Sequence, residues 1–339
     1  MASFRSSFPG SISATVISLL AVLSGYFILH HTYHFLSFLH YHFLHRSTLQ
    51  RYRSVSNAET NKTEDDASFA LVTGATDGIG CAFVSALLSS GFNIVLHGRN
   101  PSKLSRVQSE LQVRHPSRTI ITWQCDASEG STWSNAFTSL HSTIESHHAV
   151  LRVLVNNVGG TAHALPTMSA LATREAESLN QIIDVNASFP AATTHNLLPV
   201  LIKNGPSLVL NIGSMAGLHP LPYLSVYSAS KAFNRGLSLA LSIEMEAETH
   251  DVEVIHVLVA RTISAGGKKH GWKRSLFTPE AEELAQATLA KVGCGRREIV
   301  AWWPHELQAW FMGMMPEWMR KKALTFAAKE ETEAERKGA

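Results

Sequence analysis

From residue 69 onward, the chain alternates short apolar runs rich in β-branched residues with stretches of helical periodicity. The strand-like runs are FALVT (69–73), NIVLH (93–97), TIITWQC (119–125), LRVLVNN (151–157), SLVLNI (207–212) and VEVIHVLV (252–259). Such runs are typical of parallel strands buried on both faces. A helix is expected over 79–90, and another begins at Pro101, because proline suits the first helical position. The alternation predicts an α/β fold with a Rossmann-type, doubly wound parallel sheet.

The first strand runs into a glycine-rich turn, TGATDGIG (73–80), at the start of a helix. Parallel sheets bind ligands at the carboxyl ends of their strands. Glycines let the backbone approach a pyrophosphate there, and the helix N-terminus attracts its charge. A glycine turn also arises for packing alone, but the position after the first strand favours dinucleotide binding. The predicted contacts are Gly74, Thr76, Asp77, Gly78, Ile79 and Gly80.

Polar residues also follow the next three strands. Arg99 follows the second strand, where an acidic residue would hold the ribose 2′-hydroxyl of NAD. An arginine instead suits the 2′-phosphate of NADP(H), although an exposed arginine without a role is the alternative. Asp126, after the third strand, is expected to bond the adenine amino group, and Asn157 ends the fourth.

Tyr227 and Lys231 lie four residues apart in a run with helical periodicity, and Ser214 precedes them at the end of a strand-like run. Positions i and i+4 share a helix face, so the phenol and the ammonium can meet there. A nearby positive charge favours phenolate and lowers a tyrosine pKa from its usual value near 10. A phenol tuned in this way can act as a general acid or base. A helix surface pair without function has the same spacing, so the other motifs must decide.

Five elements together resemble the short-chain dehydrogenase/reductase family: TGxxxGxG, NNVG, Asn186, Ser214 and Tyr227-x-x-x-Lys231. The resemblance covers roughly residues 68–265. The amino-terminal apolar segment and the tail VGCGRREIVAWWPHELQAW are similar to the membrane-bound branch of this family. That branch contains very-long-chain 3-oxoacyl-CoA reductases and 17β-hydroxysteroid dehydrogenases.

The resemblance implies a role for each matched residue. Tyr227 would donate a proton to the substrate carbonyl, and Ser214 would hydrogen-bond the same oxygen. Lys231 would lower the tyrosine pKa and hold the nicotinamide ribose. Asn186 would order a water that completes the proton relay, and Thr262 would touch the nicotinamide carboxamide. The resemblance also implies two- or four-fold assembly through the long helices.

No Lys, Arg, Asp or Glu occurs between Arg5 and Arg46, and 12–29 is apolar and long enough for a membrane-spanning helix. A cleaved signal peptide is the competing interpretation, with a shorter apolar region. The histidine-rich segment 30–45 is expected at the lipid headgroups rather than on a metal, and a second membrane element there stays open. Basic residues after the apolar run predict a cytosolic catalytic domain.

The carboxyl-terminal part contains a dense group of aromatic and methionine residues between 302 and 318. Two interpretations stay open: a buried core against the sheet, or a membrane-facing lid over an apolar substrate entrance. The last four residues, RKGA (336–339), resemble a retrieval signal of the endoplasmic reticulum. The expected organisation is a membrane anchor and interfacial segment (1–53), a linker (54–66), a catalytic domain (67–265), a substrate loop with helical lid (266–328) and a charged tail (329–339).

Charge and cysteine content narrow the class of function. The chain has 29 Lys and Arg against 27 Asp and Glu, which gives no reason to expect a nucleic-acid partner. Its three cysteines are scattered without zinc spacing, so no metal site is expected. We therefore expect an NADP(H)-dependent ketone reductase of the endoplasmic reticulum membrane, acting on a lipophilic 3-oxoacyl-CoA. The alternatives are a steroid or triterpenoid alcohol dehydrogenase and a non-catalytic, nucleotide-binding membrane scaffold.

Overall fold

The computed structural model describes residues 14–53, 68–161, 167–264 and 271–338. The contacts divide the chain into two units, Met1–His45 and Arg46–Ala339. The linker predicted over 54–66 and most of the predicted substrate loop lie outside the described residues. The first unit ends earlier than the anchor segment expected from the sequence, at residue 45 instead of 53.

The described part of the first unit is one helix, α1 (Ala14–Leu39), followed by a π-helical turn over His40–Leu44. Residues Val16–Leu44 are long and apolar enough to cross a membrane, with a mean hydropathy of 1.4 over an 18-residue window. The sequence predicted a change from a spanning to an interfacial segment at residue 30, but the helix continues through this residue without a break. Rings four residues apart contact each other along it; the centroids of Phe27 and His31, for example, are 4.1 Å apart.

Residues 46–53 belong to the second unit because they pack into it. The Ser47 hydroxyl donates to the carbonyl of Leu289 at 2.6 Å. Tyr52 is completely buried, and its hydroxyl bonds Glu253. These contacts explain why the unit boundary falls before Arg46 rather than after Arg53.

The second unit contains a seven-stranded parallel sheet, and the sequence predicts its parallel, doubly wound type and six of its strands. Its strands are β1 (Ser68–Val72), β2 (Asn93–Gly98), β3 (Ile120–Gln124), β4 (Val150–Asn156), β5 (Ser207–Ile212), β6 (Val252–Val257) and β7 (Glu298–Ile299). They are ordered β3-β2-β1-β4-β5-β6-β7, and every pairing is parallel. The fold prediction is therefore confirmed, and β7 is the strand that the sequence did not predict.

Helices cover the sheet and extend it at the carboxyl terminus. They are α2 (Gly78–Ser89), α3 (Pro101–Arg114), α4 (Trp133–Ser146), α5 (Ala176–Ile183), α6 (Phe189–Lys203), α7 (Ser225–Ala247), α8 (Ala281–Leu289), α9 (Trp303–Met314) and α10 (Glu317–Gly338). Apolar residues of α4, α6 and α7 form one core with alternate strand residues. The remaining strand residues face the other side, where α2 packs against β1, β2 and α8.

One part of the aromatic cluster at the carboxyl terminus is buried and another part is exposed. Each of the two interpretations that the sequence left open therefore describes one part of the cluster. At the start of α9, Pro304 and His305 are buried, and Trp302 donates its ring N–H to the Leu276 carbonyl at 2.8 Å. Further along, the large apolar side chains of α9 and α10 are exposed. Helix α10 also continues without interruption across residue 328, so the predicted boundary between lid and tail lies inside one helix.

Candidate active site

The strand order reverses between β1 and β4, which is where doubly wound sheets bind nucleotides. Thr73, just after β1, joins these two strand ends. Its hydroxyl oxygen accepts the backbone N–H groups of Asn157 at 2.9 Å and Val158 at 3.0 Å. The Asn157 amide in turn donates to the Thr73 carbonyl at 2.9 Å. Asn157 therefore positions the glycine turn; its predicted contact with a cofactor stays a prediction.

The glycine turn has room only for glycine at two positions. Gly74 has a φ of 64°, in the left-handed region that favours glycine. A Cβ added at Gly80 would lie 2.2 Å from the Gly74 carbonyl oxygen and 2.5 Å from the Asn157 amide nitrogen. The turn and the N-terminus of α2 thus pack closely into a backbone cradle, a strand–turn–helix arrangement of the kind that binds pyrophosphate in dinucleotide-binding folds.

His97, in β2, supports this turn and was not singled out by the sequence analysis. Its Nδ1 accepts the Gly74 N–H at 3.0 Å. Burial lowers the His97 pKa to about 4, so the ring is neutral at physiological pH and can accept this bond. The position of the histidine, at the end of a predicted strand beside the glycine turn, was the available signal.

Arg99 is exposed just beyond β2, at the edge of the cradle. Lys103, in the first turn of α3, pairs with Asp77 at 2.6 Å. The Asp77 carboxylate also accepts the Gly78 N–H at 2.8 Å and so caps α2. The structure thus brings a second cation, Lys103, toward the edge of the glycine turn, and sequence reasoning missed it. The Asp77 carboxylate has structural partners, and its predicted cofactor contact stays a prediction.

Two other predicted cofactor contacts also follow strand ends. One Asp126 oxygen accepts the N–H and the hydroxyl of Ser128, at 2.9 and 2.7 Å. Thr262, after β6, is buried, and its hydroxyl donates to the Ala260 carbonyl at 3.2 Å. These bonds fix the side chains locally, and their predicted roles toward adenine and nicotinamide are not tested by them.

The predicted catalytic residues meet beside β5 and the first turns of α7. Lys231 is 4% exposed, and its ammonium donates to the carbonyl of Ile212, the last residue of β5, at 3.0 Å. The ammonium nitrogen lies 6.0 Å from the centroid of the Tyr227 ring. Ser214 follows β5 and lies beside Tyr227, close enough to act on its pKa. The structure thus brings Ser214, Tyr227 and Lys231 together as predicted.

Burial dominates the proton affinities of this group. It raises the pKa of Tyr227 above its usual value, and Ser214 acts in the opposite direction. Burial lowers the pKa of Lys231 to about 8. The sequence analysis expected the lysine charge to lower the tyrosine pKa. In this structure desolvation of the phenol outweighs that effect, so Tyr227 is a protonated phenol at neutral pH.

Asn186 lies in a π-helical turn, Asp184–Ser188, between α5 and α6. Its side-chain oxygen accepts the Gly160 N–H at 2.9 Å, and its amide donates to the Ile182 carbonyl at 2.8 Å. A Cβ added at Gly159 would lie 2.9 Å from both the Asn186 oxygen and the Lys231 ammonium. Asn186 and Lys231 therefore flank the same backbone position, and the π turn is a distortion often found at functional sites.

A buried polar network lies beneath the site and was not predicted from the sequence. Asn156 donates to Asn211 at 2.8 Å, and Asn211 donates to the Ser238 hydroxyl at 2.9 Å. Ser238 donates to the Asn234 carbonyl at 2.6 Å, and the Asn234 amide reaches the Asn186 carbonyl at 3.5 Å. This chain connects β4, β5 and α7 to the turn that carries Asn186.

A small crevice, with a volume of ≈ 10 Å³, opens beside Tyr227. Its lining consists of Thr161, Ser169, Leu171, Arg174, Ile182, Leu224, Ser225, Val226 and Tyr227. Arg174 is the one cation among the described residues of this lining; burial lowers its pKa, while the charge of Glu335 raises it. Sequence reasoning missed Arg174 because no motif surrounds it.

Helix α10 holds the rim of this crevice. The Glu335 carboxylate accepts the backbone N–H groups of Thr167 at 2.6 Å and Met168 at 3.2 Å. One turn earlier, Glu331 forms an ion pair with Arg261. Among the described residues, no group of three His, Cys, Asp or Glu could hold a metal ion.

Residues 68–269 match the family described as short chain dehydrogenase. The chain belongs to the short-chain dehydrogenase family. It is therefore an NAD(P)-dependent oxidoreductase acting on CH–OH and C=O groups, as the sequence motifs predict.

Relatives of this short-chain dehydrogenase include a very-long-chain 3-oxoacyl-CoA reductase of Neurospora crassa. The two are 32% identical over 76% of this chain and 75% of the relative. A very-long-chain 3-oxoacyl-CoA reductase of Caenorhabditis elegans is 30% identical over 78% of this chain and 80% of the relative. The resemblance to the branch that contains such reductases is confirmed.

Solved structures of other short-chain dehydrogenases share the fold. A metagenomic short-chain oxidoreductase in complex with NADP is 27% identical with a TM-score of 0.55, over 69% of this chain and 96% of that chain. A 7β-hydroxysteroid dehydrogenase has a TM-score of 0.63 at 19% identity, over 74% of this chain and 94% of that chain. The second likeness concerns the fold alone.

Proposed function

We propose that this short-chain dehydrogenase reduces the 3-oxo group of long-chain acyl-CoA with NADPH. The observation that carries the proposal is the group of Ser214, Tyr227 and Lys231 beside the nucleotide cradle. Relatives that cover most of the chain are named very-long-chain 3-oxoacyl-CoA reductases, which supports the substrate class. The cation Arg174 in the crevice lining suits the phosphates of CoA.

The cradle suits a dinucleotide because Gly80 lets the N-terminus of α2 pack directly against the glycine turn, the arrangement that presents backbone N–H groups to a pyrophosphate. In the proposed complex, the backbone of Gly74, Thr76, Gly78, Ile79 and Gly80 would hold the pyrophosphate. Arg99, with Lys103 nearby, would pair with the 2′-phosphate, which favours NADP(H) over NAD(H).

The proposed chemistry needs one hydride and one proton. NADPH, when bound, supplies the hydride to the substrate carbonyl carbon. Tyr227 donates its phenolic proton to the carbonyl oxygen, and its raised pKa keeps that proton in place at neutral pH. Ser214 stabilises the oxygen as negative charge develops on it. The product is the 3-hydroxyacyl-CoA.

Lys231 and Asn186 would restore the proton of Tyr227. Burial lowers the Lys231 pKa to about 8, close enough to neutrality for the ammonium to give up and regain a proton. Asn186 lies on the other side of Gly159 and connects this position to the polar network below. Both residues would act through Tyr227.

We further propose that α1 anchors the protein in the endoplasmic reticulum membrane, with the catalytic unit in the cytosol. The length and composition of Val16–Leu44 support a span. Arg46, Arg51 and Arg53 follow it and support the orientation. A membrane location suits a substrate that partitions into lipid. Assembly into homo-oligomers also stays a proposal, because only the family resemblance supports it.

The direct test incubates membranes bearing the full chain with NADPH and a panel of 3-oxoacyl-CoAs and ketosteroids. We expect the acyl-CoA ketones to disappear. In the Tyr227→Phe variant, turnover should fall by about 100- to 10,000-fold, because the proton donor is gone, while NADPH affinity stays within about twofold. Tyr223→Phe, four residues earlier, serves as the matched control and should retain turnover.

Unchanged turnover in Tyr227→Phe would remove this residue from the mechanism. Consumption of ketosteroids in place of acyl-CoA would replace the proposed substrate by the steroid or triterpenoid alternative. Binding of NADPH without turnover of any ketone would favour the remaining alternative, a non-catalytic, nucleotide-binding membrane scaffold.

A further inference from the structure

The end of α9 and the first half of α10 expose an apolar surface, which we name the α9–α10 corner. Its six large apolar side chains are Trp310, Phe311, Met314, Trp318, Met319 and Phe326. Each is between 41% and 65% exposed. Two tryptophans and two phenylalanines held in water at one corner are costly unless another apolar phase covers them.

Within each helix of the corner, these side chains share one face. On α9, Trp310, Phe311 and Met314 lie within a helical sector of about 100°. On α10, Trp318, Met319 and Phe326 also share a sector of about 100°. The Trp310 and Phe311 rings contact each other, with centroids 5.1 Å apart. The corner is therefore an amphipathic surface rather than a scatter of single residues.

Basic residues accompany the apolar ones. Arg320, Lys321 and Lys322 follow Trp318, and Glu317 is the only acidic residue between 310 and 326. The Lys322 ammonium lies 5.4 Å from the Trp318 ring centroid. Tryptophan next to lysine or arginine is the combination found where proteins contact lipid headgroups.

The charge on the corner distinguishes its possible partners. A second copy of the chain, docked through the same surface, would bring two sets of like charges together. An anionic bilayer surface instead attracts each lysine or arginine. The chain also carries α1, which is long and apolar enough to cross a membrane. We propose that the α9–α10 corner docks on the surface of an anionic lipid bilayer, as a membrane contact separate from α1.

The docked surface is connected to the active site through a single helix. From Trp318 to Glu331, α10 extends about 20 Å, at 1.5 Å per residue. At its far end, Glu331 pairs with Arg261 and Glu335 holds the backbone of Thr167 and Met168 at the crevice rim. The corner therefore joins the lipid surface to the rim through which a lipophilic substrate would enter.

The test uses the full chain, reconstituted into vesicles that contain a phospholipid with a photoactivatable group in its acyl chain. After irradiation and tryptic digestion, lipid attachment is measured by mass spectrometry. The peptide 298–320 contains most of the corner, and 107–114 from α3 contains the exposed Val113 as a matched apolar control. We expect at least about tenfold more label on 298–320 than on 107–114.

A charge-reversal variant tests the basic part of the corner. In Lys321→Glu/Lys322→Glu, label on 298–320 should fall at least about fivefold on phosphatidylserine-containing vesicles and change little on pure phosphatidylcholine. Both lysines are exposed, and unchanged NADPH affinity checks the fold. Equal label on 298–320 and 107–114, or cross-links between corners of two copies in its place, would overturn the proposal. No turnover is measured, so the result is independent of the proposed reaction.

Discussion

Lys231 lies in surroundings that disfavour its charged form. It is almost completely buried, one carbonyl accepts from it, and burial lowers its pKa to about 8. A chain selected for stability alone would place an apolar side chain here. The buried ammonium thus indicates that stability is given up for chemistry at this position.

Replacing Lys231 by methionine should stabilise the protein in a pH-dependent way. Below pH 8 the lysine is protonated in the folded and unfolded states, so the folded state bears the full cost of the buried charge. Between pH 8 and 10.5 the folded lysine loses its proton first, and the cost disappears. We expect a gain of about 2 kcal/mol at pH 7 that vanishes by about pH 10.5.

Denaturant unfolding of the detergent-solubilised protein at pH 7, 9 and 10 measures this gain. Lys203→Met, at the exposed end of α6, is the matched control and should show no such pH dependence. A gain in Lys231→Met that grows with pH would contradict the assigned cause.

Arg99 is the residue on which the cofactor preference depends. In Arg99→Ala, the preference for NADPH over NADH should fall about 10- to 100-fold, because charge-assisted bonds to the 2′-phosphate are lost. Affinity for NADH should not change. Arg106→Ala, on the exposed side of α3, is the control, and both affinities are measured by fluorescence titration. An undiminished preference without Arg99 would assign the 2′-phosphate to another cation, with Lys103 the nearest candidate.

The turn between β1 and α2 is the element least tolerant of change. In Gly80→Ala, the new methyl group would meet the Gly74 carbonyl and the Asn157 amide, so we expect a loss of about 1–3 kcal/mol and of nucleotide binding. Gly236→Ala, in the middle of α7 with nothing within 4 Å, should instead stabilise by about 0.5–1 kcal/mol. Thermal unfolding and NADPH titration of both variants check this contrast.

The elements show what local sequence can and cannot predict. Apolar runs predict strands β1 and β5, the glycines predict the turn, and a proline predicts the start of α3 at Pro101. All three signals act locally. Strand β7 has only two residues and no periodicity, so it escaped prediction.

Among the site residues, those within a motif were brought together as expected, including Ser214, Tyr227 and Lys231. His97 and Ser238 were missed because they bond residues more than 20 positions away, and Arg174 because no motif surrounds it. The pKa direction of Tyr227 was also wrong, because desolvation depends on the packing around the ring and leaves no mark in the sequence.

At the scale of the whole molecule, the two units differ in where their apolar side chains lie. The large side chains of α1 are exposed and apolar, whereas the second unit encloses a buried sheet. If α1 spans the membrane in the proposed orientation, protease added to sealed microsomes should degrade the second unit. An antibody against 107–114 detects this loss, and a luminal protein serves as the control. Protection of the second unit would reverse the orientation.

The strand order has a consequence for how the protein is made. Strand β1 pairs with β2, which follows shortly, and with β4, which begins only at Val150. During translation, the edge of β1 that pairs with β4 therefore stays unpaired until the ribosome has released β4. Unpaired strand edges can pair with strands of other chains. Because α1 precedes β1 in the chain, a nascent chain already inserted through α1 would expose this strand edge next to the bilayer.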